Sequence, residues 1–216
     1  MVHNPSCTIF RLELWPMKKL LILFTTILLV VQMHAQNQVL LDSIKSVNAK
    51  VMTIEANVHN HTKKTDVTII KDGAFHYSSP DKFSAVFEND SYMIVNVNHI
   101  KVDIGMFHGT FRMFNGPIRS LSRAFLYALQ GRCQDLANEN NFNLKTESDE
   151  HFHIVYFTTK KKILIGIGLK QAIFRYDRKN LLIKEIVLID YKNTIDTYTL
   201  ENEKYNTEID ESNFDI

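Results

Sequence analysis

The chain has 216 residues, 45% of them apolar and 23% charged, with 7 Gly and 4 Pro. These are the proportions of a folded globular protein, and they exclude a disordered, collagen-like or polytopic membrane chain. Its 25 Lys and Arg against 24 Asp and Glu give a formal charge of +1, so no cationic excess is available to hold a phosphate backbone and nucleic acid is not an expected partner.

In chain order, the first informative stretch is Lys18-Lys19 followed by an unbroken apolar run, Leu20 to Val31, with Gln32-Met33-His34-Ala35-Gln36 behind it. Twelve helical residues reach only about 18 Å, short of the roughly 30 Å of bilayer hydrocarbon. The segment 17–35 therefore reads as a cleaved signal peptide, residues 1–16 as an upstream extension, and 36–216 as one exported domain. No Cys follows the run to accept a lipid, so the mature chain is expected to be unanchored. Setting aside Arg11, Lys18 and Lys19 on one side and Glu13 on the other leaves 22 basic against 23 acidic residues. Cys7 falls in the discarded part, so Cys133 stands alone and no intramolecular disulfide is expected. At about 180 residues, a single apolar core is sufficient without a covalent staple.

Val39, Leu40, Ile44 and Val47 recur at helical spacing and predict a helix over 38–50. Period-two alternation follows, as in Ile100, Val102 and Ile104 with His99, Lys101 and Asp103 between them, which is the pattern of half-buried strands. Asp72-Gly73, Ser79-Pro80, Asn89-Asp90, Asn98 and Gly105 read as turns of an antiparallel meander, and His61-Thr62-Lys63-Lys64-Thr65 as a polar loop. Gly116-Pro117 opens a second helix over 117–130, with Ile118, Leu121, Phe125 and Leu129 on one face, and a short helical piece is expected at 134–139. Strands resume at 141–147, 151–158, 163–169, 172–177, 181–189 and 195–202. Ten or eleven strands with so few helices predict an α+β, mainly β fold. Its large curved antiparallel sheet is covered by an N-terminal helix and a central helical lid. Such a cover encloses an apolar space, filled either by side chains or by a ligand.

Met106 to Phe114 holds three Phe and two Met, either a soft surface for alkyl chains or a hairpin facing the core. His59-x-His61 and His151-x-His153 each put two imidazoles on one face of a strand. Exposed polar positions on alternating strands are expected for both pairs, and no metal. Cys133 has no local base, and Ser79 lacks the G-x-S-x-G elbow. No phosphate-binding glycine loop occurs, so no cofactor and no enzymatic activity are expected. Lys160-Lys161-Lys162 could meet anionic headgroups or form a solvated turn.

In their order along the mature chain, these residues resemble the periplasmic outer-membrane lipoprotein carrier family, LolA. The resemblance runs from the opening helix through Lys71-Asp72-Gly73-Ala74-Phe75-His76-Tyr77-Ser78-Ser79-Pro80-Asp81-Lys82-Phe83, then Phe87, Ile94-Val95-Asn96 and Asn98-His99-Ile100. It closes with Leu181 to Asp190, Leu200-Glu201-Asn202 and Lys204 to Asp210 followed by Phe214. It covers about residues 38 to 216 and implies a half-open antiparallel barrel closed by helices. Such a carrier moves lipoprotein acyl chains across the periplasm from an inner-membrane lipoprotein-releasing complex to an outer-membrane acceptor, as a soluble monomer. Two features depart from the family. Ser84 stands where an Arg normally latches the lid, and Thr158-Thr159-Lys160 where Leu-Pro-Lys is common.

The residues expected to line the cavity are Phe75, Tyr77, Phe83, Phe87, Ile94, Phe107, Phe111, Phe114, Phe125 and Leu129. The alternatives are a lipid- or lipoprotein-sensing interaction module on the same scaffold and, further off, a metal-dependent hydrolase whose His pairs converge.

Overall fold

The computed structural model describes residues 14–104, 107–112, 117–160 and 169–216. The chain forms two compact units, Met1–Leu40 and Leu41–Ile216. A single helix, α1 (Leu14–Asn48), starts far ahead of the predicted position. The reason is local: nothing between the apolar run and Val39 breaks a helix, since Gln32 to Gln38 contain neither Gly nor Pro. Leu21, Phe24 and Ile27 on this helix are exposed, yet no helix among the described residues is long and apolar enough to cross a membrane. Residues 1–13, most of the segment read as an upstream extension, lie outside the described residues.

The second unit is one antiparallel sheet of eleven strands that does not close on itself. Six strands come first: β1 (Thr53–Lys64), β2 (Val67–Ser78), β3 (Lys82–Phe87), β4 (Tyr92–Asn96), β5 (His99–Ile104) and β6 (Phe107–Arg112). The helices α2 (Pro117–Leu129) and α3 (Cys133–Glu139) follow. Then come β7 (Phe142–Ser148), β8 (Phe152–Thr159), β9 (Leu169–Asp177), β10 (Ile183–Asp190) and β11 (Ile195–Tyr205), with a 3-10 turn at Glu211–Phe214. The spatial order runs from β6 back to β1, across to β11, and on down to β7. The first and last strands of the meander therefore meet in the middle, and β6 and β7 are the free edges.

This is the mainly β architecture the alternation predicts and the open sheet the resemblance implies, with differences at two places. Asp72-Gly73 is not a turn; both residues lie inside β2, and the chain reverses at Thr65-Asp66. Gly73 is required for another reason: a Cβ there would collide with the Val86 carbonyl of the neighbouring strand. The predicted polar loop after His61 is strand as far as Lys64, because β2 and β11 pair with it on either side. Residues 163–168, predicted as part of a separate strand, lie outside the described residues, and β9 begins at Leu169.

Alternation assigns the two faces. Phe75, Tyr77, Phe83, Ala85, Met93, Val95, Ile100 and Val102 are cross-strand partners on one face and all are buried. The same face continues through Leu200 and Tyr198 of β11 to Phe174 and Tyr176 of β9. This inner face carries the core. The last turns of α1 join it through Leu41 and Ile44, and Asn48 donates to the carbonyls of Ile44 and Leu181 at 2.8 Å each.

Candidate functional site

The helix α2 lies on the inner face. Phe125 stacks on Phe83 with ring centroids 5.3 Å apart and meets Tyr198 edge-on at 4.7 Å, while Phe83 in turn faces Phe75 at 6.2 Å. A run of four rings thus crosses from β2 and β3, through α2, to β11. Such offset and edge-to-face pairs add about 0.5–1.5 kcal/mol each to the burial of the rings. Leu129, one helical turn beyond Phe125, is fully buried.

Two polar contacts hold the C-terminal end of α2. The Gln130 side-chain amide donates to the Pro80 carbonyl in the β2–β3 turn. From the opposite side, the Tyr176 hydroxyl donates to the Ala128 carbonyl at 2.9 Å. The helix ends at Gly131, whose φ of +65° is the left-handed geometry glycine adopts at low cost. A Cβ at Gly131 would also press on the Ile44 carbonyl, so glycine is needed both for the turn and for the close approach.

Of the ten residues predicted to line a cavity, six belong to this buried layer: Phe75, Tyr77, Phe83 and Phe87 from the sheet, Phe125 and Leu129 from α2. Tyr77 is buried beside Ser79 and Gln130, and burial raises its pKa above the usual phenol value. Phe87 lies at the rim, with the Lys71 ammonium 5.8 Å from its ring centre. Phe111 is the cross-strand partner of Ile100 on the inner face but is 40% exposed, since β6 is an edge. Phe107 lies in β6 opposite Ile104, and Phe114 lies outside the described residues.

Two assignments change. Ile94 pairs with Ser84 and Lys101, on the face opposite Phe83 and Val95, so it does not line the inner face. A residue one position along a strand points the other way, and Met93 and Val95 take the place expected of Ile94. Ser84, expected at a lid latch, is on that outer face too. It is buried, 3.4 Å from His76 Nδ1, with its side chain directed away from α2. Gln130 and Tyr176 provide the ties that a residue at position 84 cannot.

The outer face of β3 and β4 has a cover of its own. Phe214, near the C-terminus, is fully buried; Asn96 donates to its carbonyl at 3.0 Å, and Lys82 sits 5.9 Å from its ring centre while pairing with Glu211 at 2.6 Å. Tyr198, Met93 and Tyr176 are inner-face residues that the sequence reading missed. Period two would have found Tyr198, which alternates with Leu200 along β11.

The other candidates stay apart. His59 lies between Asp72, 2.5 Å from Nδ1, and Glu201, 3.4 Å from Nε2, carboxylates that no local spacing announces because they arrive from β2 and β11. The hydrogen bond to Asp72 raises the His59 pKa. His153 Nδ1 is 2.7 Å from the Ser148 hydroxyl, and its pKa is lowered by burial. Among the described residues no three His, Cys, Asp or Glu groups are placed to hold a metal ion. Cys133 is buried against Tyr176 at 3.4 Å, and burial pushes its thiol pKa up to about 12, which disfavours the thiolate.

No protein-family model matches the sequence, and no curated protein matches it. Solved structures of similar fold include a LolA superfamily protein from Nitrosomonas europaea, 9% identical, with 83% of this chain and 97% of that one covered at a TM-score of 0.41. A DUF1329 family protein from Desulfovibrio piger is 10% identical over 82% of this chain and 96% of its own, at 0.45. The lipoprotein LppX from Mycobacterium tuberculosis is 14% identical over 80% and 98%, at 0.38.

Proposed function

We propose that this protein is a soluble, non-enzymatic carrier that binds the acyl chains of lipoproteins or a related lipid between α2 and the inner face of the sheet. In this reading the leader at 17–35 is removed on export. The mature monomer works in the periplasm, loaded by an inner-membrane lipoprotein-releasing complex and unloaded at an outer-membrane acceptor. The observation that carries the reading is the contact of α2 with the sheet. Among the described residues Phe125 stacks between Phe83 and Tyr198, and the hydrogen bonds from Gln130 and to the Ala128 carbonyl lie at the C-terminal end of the helix.

Such a contact can re-form around an apolar guest, because the rings lose no hydrogen bonds when an alkyl chain replaces a neighbour. Each methylene removed from water contributes about 0.8 kcal/mol. Acyl chains of some 30 to 50 carbons would therefore face tens of kcal/mol in an aqueous gap, which is the need a carrier answers. Release without ATP requires binding that is modest relative to the donor and weaker than that of the acceptor, and closure of α2 onto Phe83 in the empty state would favour release.

The test is native mass spectrometry of the protein recovered from periplasm without detergent, with organic extraction of whatever is bound. The expected result is a co-purified acylated molecule, or its uptake from membranes by the empty protein. A clean empty mass with no uptake would overturn the reading.

A further inference from the structure

The hairpin of β1 and β2 projects beyond the rest of its side of the sheet. Pairing of β2 with β3 stops at Gly73 opposite Phe87, and the Glu88 amide makes one further bond to the Asp72 carbonyl. Residues 67–72 of β2 run on past it, roughly 20 Å of strand at about 3.4 Å per residue. One side of this overhang is braced, since β1 pairs with β11 as far as Lys63 opposite Ile195. Among the described residues the other side is an edge.

Three branched apolar side chains on the overhang face water: Val67 is 54% exposed, Ile69 37% and Ile70 68%. Val67 and Ile69 share the parity of Phe75, whereas Ile70 points to the opposite face. Natural edge strands are normally guarded by proline, a bulge or a charge, and none interrupts Val67 to Ile70.

The register brings lysines to the same end of the sheet. Lys63 and Lys64 close β1, Lys170 opens β9, Lys192 lies in the β10–β11 turn, and Lys160 follows β8. The carboxylates nearby are largely engaged. Asp72 is bonded to His59, Asp190 accepts the amides of Lys192 and Thr194, and Thr62 is bonded to Asp196. Asp66 at the tip is exposed, and Glu88 and Asp90 are set back along the sheet by the length of the overhang.

We propose that this lysine-bearing end, with Val67, Ile69 and Ile70 at its tip, docks on an anionic lipid surface. Apolar side chains on both faces suit a tip surrounded by the headgroup and upper acyl region, where the free backbone edge stays hydrated. Each lysine held near an anionic surface strengthens binding by roughly fivefold. The docking surface goes beyond the carrier reading and does not depend on anything being bound beneath α2.

The experiment is co-sedimentation of the exported protein with vesicles of phosphatidylcholine alone and of phosphatidylcholine with roughly 30% phosphatidylglycerol. We expect at least about tenfold tighter retention on the anionic vesicles at ~0.1 M salt, most of it lost at ~0.5 M as screening shortens the field. The paired reversal Lys63→Glu with Lys64→Glu should weaken that retention by about tenfold or more. Val67→Ser with Ile70→Ser should weaken it several-fold, and these exposed positions leave the thermal midpoint unchanged. Equal retention on both vesicles, or variants that bind as the parent does, would overturn the proposal. A concentration-dependent dimer without vesicle retention would also overturn it and assign the edge to a second copy of the chain. Loss of vesicle docking in a protein that still takes up lipid would leave the carrier reading standing.

Discussion

The two faces of β2, β3 and β4 are made by alternate residues of the same strands, and they are covered in different ways. On the inner face Phe83, next to Phe75, stacks on Phe125 of the helix, and Gln130 and the Ala128 carbonyl make hydrogen bonds at the helix's C-terminal end. On the outer face the C-terminal segment inserts Phe214 and fixes it with the Asn96 amide and the Lys82–Glu211 pair. Apolar contact is non-directional and tolerates exchange of one apolar neighbour for another, whereas the outer cover is defined by directional partners at its one anchor. In the proposed carrier the difference assigns the movable cover: α2 is expected to lift for a guest while the tail stays on the outer face.

Truncating the outer anchor breaks that division most severely. Phe214→Ala removes a fully buried ring and should cost about 3–5 kcal/mol, read as a lowered midpoint in urea unfolding. The lipid taken up per folded molecule should not change, because Phe214 is on the face away from α2. A loss of uptake in molecules still folded would show that the two covers are coupled.

Loosening the inner cover has a smaller effect on stability and a larger one on exchange. Gln130→Ala removes the tie from the end of α2 to the Pro80 carbonyl. The expected cost is about 1 kcal/mol, with faster hydrogen exchange confined to α2 and faster lipid uptake. Exchange that accelerates equally across β3 and β4 would mean that α2 is an integral part of the core.

Apolar spacing carried most of this fold, at period two in the meander and at helical spacing in α2. What it could not supply was long-range. The role of Gly73 depends on the backbone of β3, and the carboxylates around His59 come from two other strands. Ile94 and Ser84 were read from a family pattern and not from alternation. Counting along β4 from Met93 and Val95, both fully buried, puts Ile94 on the outer face. Phe214 was legible as a closing motif, but nothing in the sequence shows that it returns to cover β3 and β4.

The subtlest probe of the outer face is its pair of histidines. His59, on β1, has its pKa raised, first by the hydrogen bond to Asp72. A group raised in the folded state adds stability that is fully present below its unfolded value near 6.5 and is lost as pH climbs through the folded value. His76, on β2 beside Ser84, has its pKa lowered by burial. Its contribution has the opposite sense: present above about 6.5 and lost as pH falls through the depressed folded value. Acidification from about pH 7.5 to 5 should therefore favour the fold at His59 and oppose it at His76. Both effects are small, because His59 is solvent-screened and His76 only half-buried. Unfolding curves of His59→Gln and His76→Gln, each subtracted from the parent at the same pH, cancel the background of titrating carboxylates. The two differences should move in opposite directions with acid; movement in the same direction would mean that burial does not lower the His76 pKa.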